Sequence, residues 1–330
     1  MLRARILAVA AAVAVVAALA ALASCTSSSR RPDARRLHVG YAGEADFIDL
    51  PSLIAQARLR ARGYEVETTF FSGSDVAIQA VAGGSVDVVH GSMIAAWMAI
   101  SRGAEIATVM DHVGDPYRLV AIPAVSRCGD LDGRRLALQG GSSVSTQLVR
   151  AFIDEECGNA KPQELLIAES SNRTAALLGG GVEASALELA SVLWLQKQAP
   201  GRFTILSDFS TRWPGIKTTG VHVNVGFAEA HPDIVREYVA ALLAANHDVE
   251  ADPSLLVAAA GEHLGRAEDW AATARAYLDA KIWPERGGFT RSDVESTLAF
   301  FKRYSRLDAQ LSVDAVADLT PLEAALASAH

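Results

Sequence analysis

The sequence lacks three features that would place it in a common functional class. It has no excess of basic residues, since its formal net charge is −8, and this argues against nucleic acid or an anionic membrane surface as a partner. It contains none of the motifs Gly-x-Ser-x-Gly, Ser-x-x-Lys, His-Glu-x-x-His or Gly-x-x-x-x-Gly-Lys-Ser/Thr, which argues against an enzyme. His38, His90, His112 and His222 lack the local spacing of a metal site. We therefore expect no catalytic residue, no cofactor and no metal.

The first 36 residues have the features of an export signal followed by a tether. Arg3 and Arg5 precede an apolar run over residues 6–21 that is short for a membrane-spanning helix. The next four residues, Leu-Ala-Ser-Cys, resemble the lipobox of bacterial lipoproteins. This implies a signal peptide over 1–24, cleavage after residue 24 and acylation of Cys25. Residues 25–36 are then a polar, flexible tether. A signal anchor that is never cleaved is the alternative.

Lipidation of Cys25 would leave only two cysteines, Cys128 and Cys157. An even number in an exported protein favours one disulfide over a metal site. Cys128 precedes a predicted strand over 134–139, and Cys157 ends a predicted helix over 144–156. Both elements span roughly 20 Å, so the helix should return to the end where the strand starts. We predict a Cys128–Cys157 disulfide on the face away from any cleft, with two buried free thiols as the alternative.

Short apolar strands alternate with helical stretches in the first part of the mature chain. The alternation favours an α/β fold with a mostly parallel sheet and helices on its faces. The strands are expected at 36–41, 65–71, 86–90, 105–111 and 117–122. The helices are expected at 50–62, 75–82 and 94–101.

A weak internal repeat indicates two lobes of similar design. Residues 134–139 (RRLALQ) repeat residues 35–40 (RRLHVG), and residues 170–184 repeat residues 74–88 without gaps. In both copies a polar loop opens a helix, Gly-Gly ends it and a short strand follows. Two generic strand–helix units are the alternative.

The C-terminal third interrupts this pattern and predicts how the lobes are connected. A strand is expected at 220–225, and the sequence after it is mostly helical, so the first lobe resumes there. We expect lobe 1 at 37–123 and 219–330, with lobe 2 inserted at 124–218. Two crossings between the lobes make a hinge, and a hinge between two α/β lobes makes a cleft.

Three segments resemble the type II solute-binding proteins of ABC importers, in the sulfonate, nitrate and thiamine-precursor (SsuA/THI5-like) branch. They are residues 80–103 (AVAGGSVDVVHGSMIAAWMAISRG), residues 129–143 (GDLDGRRLALQGGSS) and the helix start His231-Pro232-Asp233. The resemblance covers nearly all of the mature chain. It implies a two-lobed fold, in which each lobe is a mixed sheet flanked by helices and a two-crossing hinge joins them. One departure is the absence of a proline a few residues after Glu183.

The same resemblance implies a function and a set of partners. We expect an extracytoplasmic, lipid-anchored monomer that captures a small organic solute in the interlobe cleft and delivers it to ABC permease subunits. Its contact with the membrane would be through the lipid anchor only, at the outer face of the cell membrane, and it would not bind nucleic acid. An exported enzyme on the same fold and a sensory lipoprotein without a transport role are the alternatives.

The solute should lie beyond the carboxyl ends of the strands, because ligands of open α/β sheets bind there. The candidate residues of lobe 1 are Glu44, Asp46, Phe47, Ser72, Ser74, His90, Gly91 and Ser92. Those of lobe 2 are Gly141, Ser142, Ser143, Ser171, Asn172 and Arg173. The serines also suit helix N-caps, and Arg173 faces either water or an anion because a cation in a first helical turn opposes the helix dipole.

The two walls of this cleft predict the character of the solute. Glu44 and Asp46, with Asp49 nearby, make one wall acidic. Hydroxyls and helix N-termini at 140–145 and 170–173 make the other wall rich in donors. A solute with an amine or protonated ring nitrogen at one end and an oxyanion or carbonyl at the other would satisfy both walls. Inorganic anions such as nitrate are expected to bind less well.

Overall fold

The computed structural model describes residues 35–265, 269–284 and 286–328. The predicted signal peptide, the lipidation site Cys25 and most of the predicted tether lie outside the described residues, so they stay predictions. Over the ranges described, no helix is both long and apolar enough to cross a membrane.

Within those residues the chain forms two five-stranded sheets with helices around them. The strands are β1 (Arg36–Ala42), β2 (Glu65–Phe71), β3 (Val88–Ser92), β4 (Ile106–Val113), β5 (Tyr117–Ala121), β6 (Arg135–Leu138), β7 (Gln163–Leu166), β8 (Ala184–Glu188), β9 (Thr204–Asp208) and β10 (Thr219–Asn224). The α-helices are α1 (Leu50–Ala61), α2 (Ser74–Ala82), α3 (Met93–Ile100), α4 (Val144–Glu156), α5 (Ser170–Leu178), α6 (Leu189–Gln198), α7 (Phe209–Arg212), α8 (Val225–Ala230), α9 (Pro232–Ala251), α10 (Ser254–His263), α11 (Trp270–Asp279), α12 (Arg291–Tyr304), α13 (Val313–Val316) and α14 (Thr320–Ser328). Short 3-10 helices span Phe47–Asp49 and Cys128–Leu131.

The two sheets have the same topology, as the internal repeat predicts. The strand order is β2-β1-β3-β10-β4 in the first sheet and β7-β6-β8-β5-β9 in the second. In each sheet the fourth strand, β10 or β5, is antiparallel to both of its neighbours, and the strands before it pair in parallel. The fold is therefore mixed α/β with two similar halves. We call the part around the first sheet the first lobe and the part around the second sheet the second lobe.

The chain passes between the sheets twice, and the first passage differs from the sequence expectation. β5 was expected in lobe 1, which the sequence extended to residue 123, but it pairs with β8 and β9 of the second sheet. The sequence of a buried five-residue strand does not indicate which strand it pairs with, and the lobe to which it belongs depends on that pairing. The first passage is thus at 114–116 and the second at 209–218, and we propose these as the lobe boundaries.

Cys128 and Cys157 are bonded to each other in the structure, with their Cα atoms 4.8 Å apart. Cys128 lies in the 3-10 helix that precedes β6, and Cys157 caps the C-terminus of α4. Both side chains are buried. Helix α4 therefore returns to the start of β6, which is the geometry on which the predicted pairing depends.

Candidate functional site

A cavity of about 480 Å³ lies between the two lobes, where the carboxyl ends of β1, β3 and β8 converge. This is the position at which open α/β sheets bind their ligands. Five carboxyl groups line it. They belong to Glu44, Asp46 and Asp49 of the first lobe and to Glu169 and Glu188 of the second. Both walls are therefore acidic, whereas the sequence predicted an acidic wall on one lobe only.

Most of the residues that the sequence proposed for ligand binding line this cavity. They are Glu44, Asp46, Ser72, Ser74, His90, Gly91, Ser92, Ser171 and Arg173. They come together because each lies in the C-terminal half of a strand, in the loop after a strand or in the first turn of a helix, at the same edge of its sheet. The placement of strand ends therefore predicted them.

Five of the proposed residues lie elsewhere. Phe47 is fully buried and its ring packs on those of Trp270 and Tyr277 in the first lobe, with centroids 5.7 and 4.8 Å away. Asn172 is exposed. The glycine-serine loop contributes contacts within the protein instead of lining the cavity: Gly141 O accepts from Gln147 Nε2, Ser142 O accepts from Ser92 Oγ, and Ser143 caps α4.

Asp46 and Glu188 line the cavity from opposite lobes. Asp46 is the N-cap of the 3-10 helix Phe47–Asp49, where its Oδ1 accepts from the Phe47 amide at 2.6 Å. Glu188 ends β8 and precedes α6, and only 8% of it is exposed. Burial raises the pKa of Glu188 well above its usual value of 4.5, and the neighbouring Asp46 carboxyl raises it further. Its Oε2 has no hydrogen-bond partner among the described residues. This pair is suited to hold a proton or a cation.

Arg173 does not face water. It is 1% exposed, its Nε donates to Ala186 O at 3.2 Å, and its Nη1 donates to Ile167 O and Ala168 O at 3.0 and 2.6 Å. The positive charge of Arg173 lowers the pKa of Glu188, but burial raises this pKa by more. Three carbonyl oxygens thus hold Nε and Nη1, which fixes Arg173 in the second lobe at the cavity wall.

A chain of hydrogen bonds leads from the cavity into the first lobe. Asp49 Oδ1 is 3.1 Å from His112 Nε2, His112 Nδ1 is 2.9 Å from His90 Nδ1, and His90 Nε2 is 2.5 Å from the hydroxyl of Tyr238. Burial and the charges of neighbouring histidines lower the pKa of His90 well below 6.5, so His90 is neutral. Because His112 Nε2 donates to Asp49, His112 Nδ1 is an acceptor and receives the proton of His90 Nδ1. His90 Nε2 then accepts from the hydroxyl of Tyr238. The chain fixes the orientation of both imidazoles at the cavity floor.

The chain matches a family model described as NMT1/THI5 like over residues 59–255, which is more than half of its length. It belongs to the NMT1/THI5-like family. The resemblance drawn from residues 80–103 and 129–143 is thereby confirmed. No curated protein matches the chain significantly.

Solved structures share the fold of this NMT1/THI5-like chain. The alkanesulfonate-binding protein SsuA from Xanthomonas axonopodis pv. citri, bound to MOPS, is 18% identical with a TM-score of 0.68, and the match covers 85% of this chain and 97% of that one. The periplasmic aliphatic sulphonate-binding protein SsuA from Escherichia coli is 18% identical with a TM-score of 0.68, covering 86% and 92%. The periplasmic nitrate-binding protein NrtA from Synechocystis is 11% identical with a TM-score of 0.67, covering 89% and 88%. At these identities the likeness establishes a periplasmic-binding-protein fold.

Several cavity residues of this family member were missed by sequence reasoning. Glu188 is the most consequential, and the internal repeat could have found it. Residues 74–88 and 170–184 are 96 positions apart, and the same offset relates Ser92, at the end of β3, to Glu188, at the end of β8. Tyr117, Gln139, Ser191, Thr219 and Trp270 also line the cavity.

Direct contacts join the lobes beside the cavity. The backbone amide of Ala190, at the start of α6, donates to the hydroxyl of Tyr277 on α11 at 3.1 Å. On the other side Ser92 Oγ donates to Ser142 O at 3.3 Å. The two lobes are therefore in contact around the space that a solute would occupy.

Proposed function

We propose that this chain is the solute-binding component of an ABC importer. In this proposal it captures a small organic solute with a positively charged nitrogen in the interlobe cleft and delivers it to a permease, and it has no catalytic role. Membership of the NMT1/THI5-like family supports the proposal, as does the fold shared with sulfonate- and nitrate-binding proteins. The two passages between the lobes support it too, because they provide the hinge that a closing receptor needs.

The observation that carries the proposed ligand class is the pair of Asp46 and Glu188. A buried polar atom without a partner costs about 1–3 kcal/mol, and Glu188 Oε2 is such an atom in the part of the chain that the structure describes. A bound ammonium or protonated ring nitrogen would donate to it and would also relieve the repulsion between the two carboxyls. The cation would then hold the first lobe to the second.

The other end of the solute has a different set of partners. Ser72 and Ser74 of the first lobe and Ser170 and Ser171 of the second lie in the cavity wall. Ser74 begins α2 and Ser170 begins α5, so the N-termini of two helices open towards the cavity. Helix N-termini and hydroxyls favour an oxyanion or a carbonyl oxygen. A zwitterion, or an aminopyrimidine with a polar substituent, fits both ends.

A plain inorganic anion fits this cavity less well. Five acidic residues line the walls, and the Nε and Nη1 donors of Arg173 are already bonded to backbone carbonyls. Repulsion from the carboxylates acts on any ligand with negative charge alone. We therefore rank nitrate below solutes that carry a cation, although a related fold belongs to a nitrate-binding protein.

The proposed anchor completes this account. Cys25 would carry the lipid, and the polar residues that follow it would act as a leash. A receptor on a short flexible tether stays at a high effective concentration near its permease and remains free to open and close. Its place is accordingly the outer face of the cell membrane.

Calorimetric titration tests the proposed ligand class. Zwitterions, aminopyrimidines, sulfonates and nitrate are titrated into the wild type, Asp46→Asn and Glu188→Gln, with Glu229→Gln as a control because Glu229 is an exposed acid outside the cavity. We expect a cationic solute to bind the wild type and the control equally. The cleft variants should bind it about tenfold more weakly or worse, since a hydrogen bond to a charged group contributes about 1.5–3 kcal/mol. Tight nitrate binding by the wild type would overturn the proposal.

A further inference from the structure

A second cavity, of about 670 Å³, adjoins the cleft cavity. We call it the apolar groove. It lies between α5 and α6 of the second lobe and α11 of the first, and its walls include Ala175, Leu178, Leu193, Trp194 and Ala272. None of the five carboxyl groups of the cleft cavity lines it.

The polar side chains of the groove are already satisfied or lie at its rim. Thr174 Oγ1 donates to Ser170 O at 2.8 Å and Thr273 Oγ1 donates to Asp269 O at 3.5 Å, so each hydroxyl is bonded to its own helix or helix cap. Lys197 and Asp269 are exposed. Ser191 Oγ is 3.2 Å from Ser170 Oγ, and Ser171 lies in the wall that the groove shares with the cleft cavity. Away from that wall, the surface that the described residues give the groove is mainly carbon, which favours an apolar ligand over a polar one.

The groove adjoins the proposed solute site. Ser171, Ser191 and Trp270 line both cavities, so they form the boundary between them. The indole Nε1 of Trp270 donates to Gly265 O at 2.8 Å, which fixes the ring at this boundary. An arm of a ligand held at Asp46 and Glu188 would reach the groove by passing these three residues.

We propose that the groove binds an apolar arm of the same solute, so that the ligand is an amphiphile with a cationic head and an aliphatic or aromatic tail. This rests on the proposed function, because the head is assigned to the cleft. Both lobes contribute walls to the groove, so the arm is fully enclosed only when they are together. Burial of the arm then favours the closed arrangement.

A series of primary amines of increasing length tests the proposal. Propylamine, butylamine, pentylamine and hexylamine share one cationic head and differ in apolar surface alone. Each methylene that enters the groove should tighten binding by up to about fourfold, the equivalent of about 0.8 kcal/mol. Hexylamine is therefore expected to bind about 10- to 60-fold more tightly than propylamine.

Two variants of the groove make the test specific. Ala175→Trp fills the groove from an exposed helix position, and Leu193→Asn places a polar group on its wall. Both should reduce the preference for hexylamine over propylamine to less than about threefold, which is less than the effect of one buried methylene. The affinity for propylamine should not change. Leu166→Asn is the matched control, because Leu166 is 62% exposed on β7 outside both cavities. It should behave as the wild type.

A neutral fluorescent probe separates failure of the groove from failure of the cleft. N-phenyl-1-naphthylamine should bind the wild type and Glu188→Gln alike, and should bind Ala175→Trp at least about tenfold more weakly, a difference of 1.4 kcal/mol. Absence of probe binding to the wild type overturns the groove even if amines bind. Probe binding together with amine affinities that do not depend on chain length assigns the groove to another ligand and also overturns the proposal. Failure of every amine, with probe binding intact, contradicts the cationic head and the amphiphilic ligand with it.

Discussion

Asp46 and Glu188 line the interlobe cavity from opposite lobes, Asp46 at the start of a 3-10 helix of the first lobe and Glu188 at the end of β8 in the second. Each residue belongs to a different lobe, and the pair therefore makes closure sensitive to what lies between them. A proton or a cationic ligand favours their approach, and an empty, fully ionised pair opposes it.

Replacing Glu188 by Gln should stabilise the ligand-free protein at neutral pH. Burial raises the folded-state pKa of Glu188 above its usual 4.5, so the folded state binds more protons than the unfolded state above that pH. The free energy of unfolding then falls as the pH rises from about 4.5 through the folded pKa. Glu188→Gln removes this loss. In urea unfolding, the difference in the free energy of unfolding between the variant and the wild type should therefore grow from pH 4 to pH 8. An advantage that does not change with pH, or one that Glu229→Gln shares, would contradict the account.

A similar argument applies to Asp111 of β4, in the first sheet. Burial raises the pKa of Asp111 from 3.8 to about 7, while Lys217 Nζ, 3.4 Å away on the second passage, opposes the shift. Lys217 is also 3.6 Å from Asp293. The wild type therefore loses free energy of unfolding as the pH rises from about 3.8 to 7. Asp111→Asn should not show this loss, so its free energy of unfolding should rise relative to that of the wild type by about 4 kcal/mol at most over this pH range. Thermal unfolding at several pH values measures it, and parallel pH profiles for the two proteins would refute it.

The sequence predicted the parts of this structure that leave a local or repeated signal. Strands β1, β2, β3 and β10 were predicted because each is rich in β-branched, aromatic or other apolar residues. Strands β7 and β9 were missed, since β7 is an exposed edge strand of four residues and β9 is largely exposed as well. Edge strands owe their conformation to one neighbour and need no apolar face.

The sequence also predicted only part of the candidate site. Loops after parallel strands could be predicted to converge, and Glu44, Ser72 and His90 do line one cavity. Which side chain turns inwards depends on packing between distant elements. Phe47 packs on α11 for that reason, and Arg173 is held by carbonyls that the sequence could not place beside it.

The disulfide makes a prediction about thiols and stability. In Cys25→Ser protein, denatured without reductant, we expect no alkylatable thiol because Cys128 and Cys157 are bonded. Replacing both by alanine should lower the free energy of unfolding by about 3–4 kcal/mol, given the 29-residue separation. Two thiols per chain in the unreduced protein would show that the bond does not form.

The proposed lipid anchor predicts where the protein is found. Cys25→Ser should move it from the membrane fraction to the soluble fraction, since the proposal places all the acyl chains on this one residue. Solute affinity should not change, because residue 25 is separated from the cleft by the tether. Retention of the variant in membranes would favour an uncleaved signal anchor.

The central claim is that a solute with a positively charged nitrogen is held between Asp46 and Glu188. Native mass spectrometry of the protein as purified from its own host measures this most directly, by releasing and identifying the retained small molecule. We predict an organic solute with a basic nitrogen that is retained by the wild type and by Glu229→Gln and is lost from Asp46→Asn and Glu188→Gln. An anion without a basic nitrogen, or a cationic solute retained equally by all four proteins, would contradict the account.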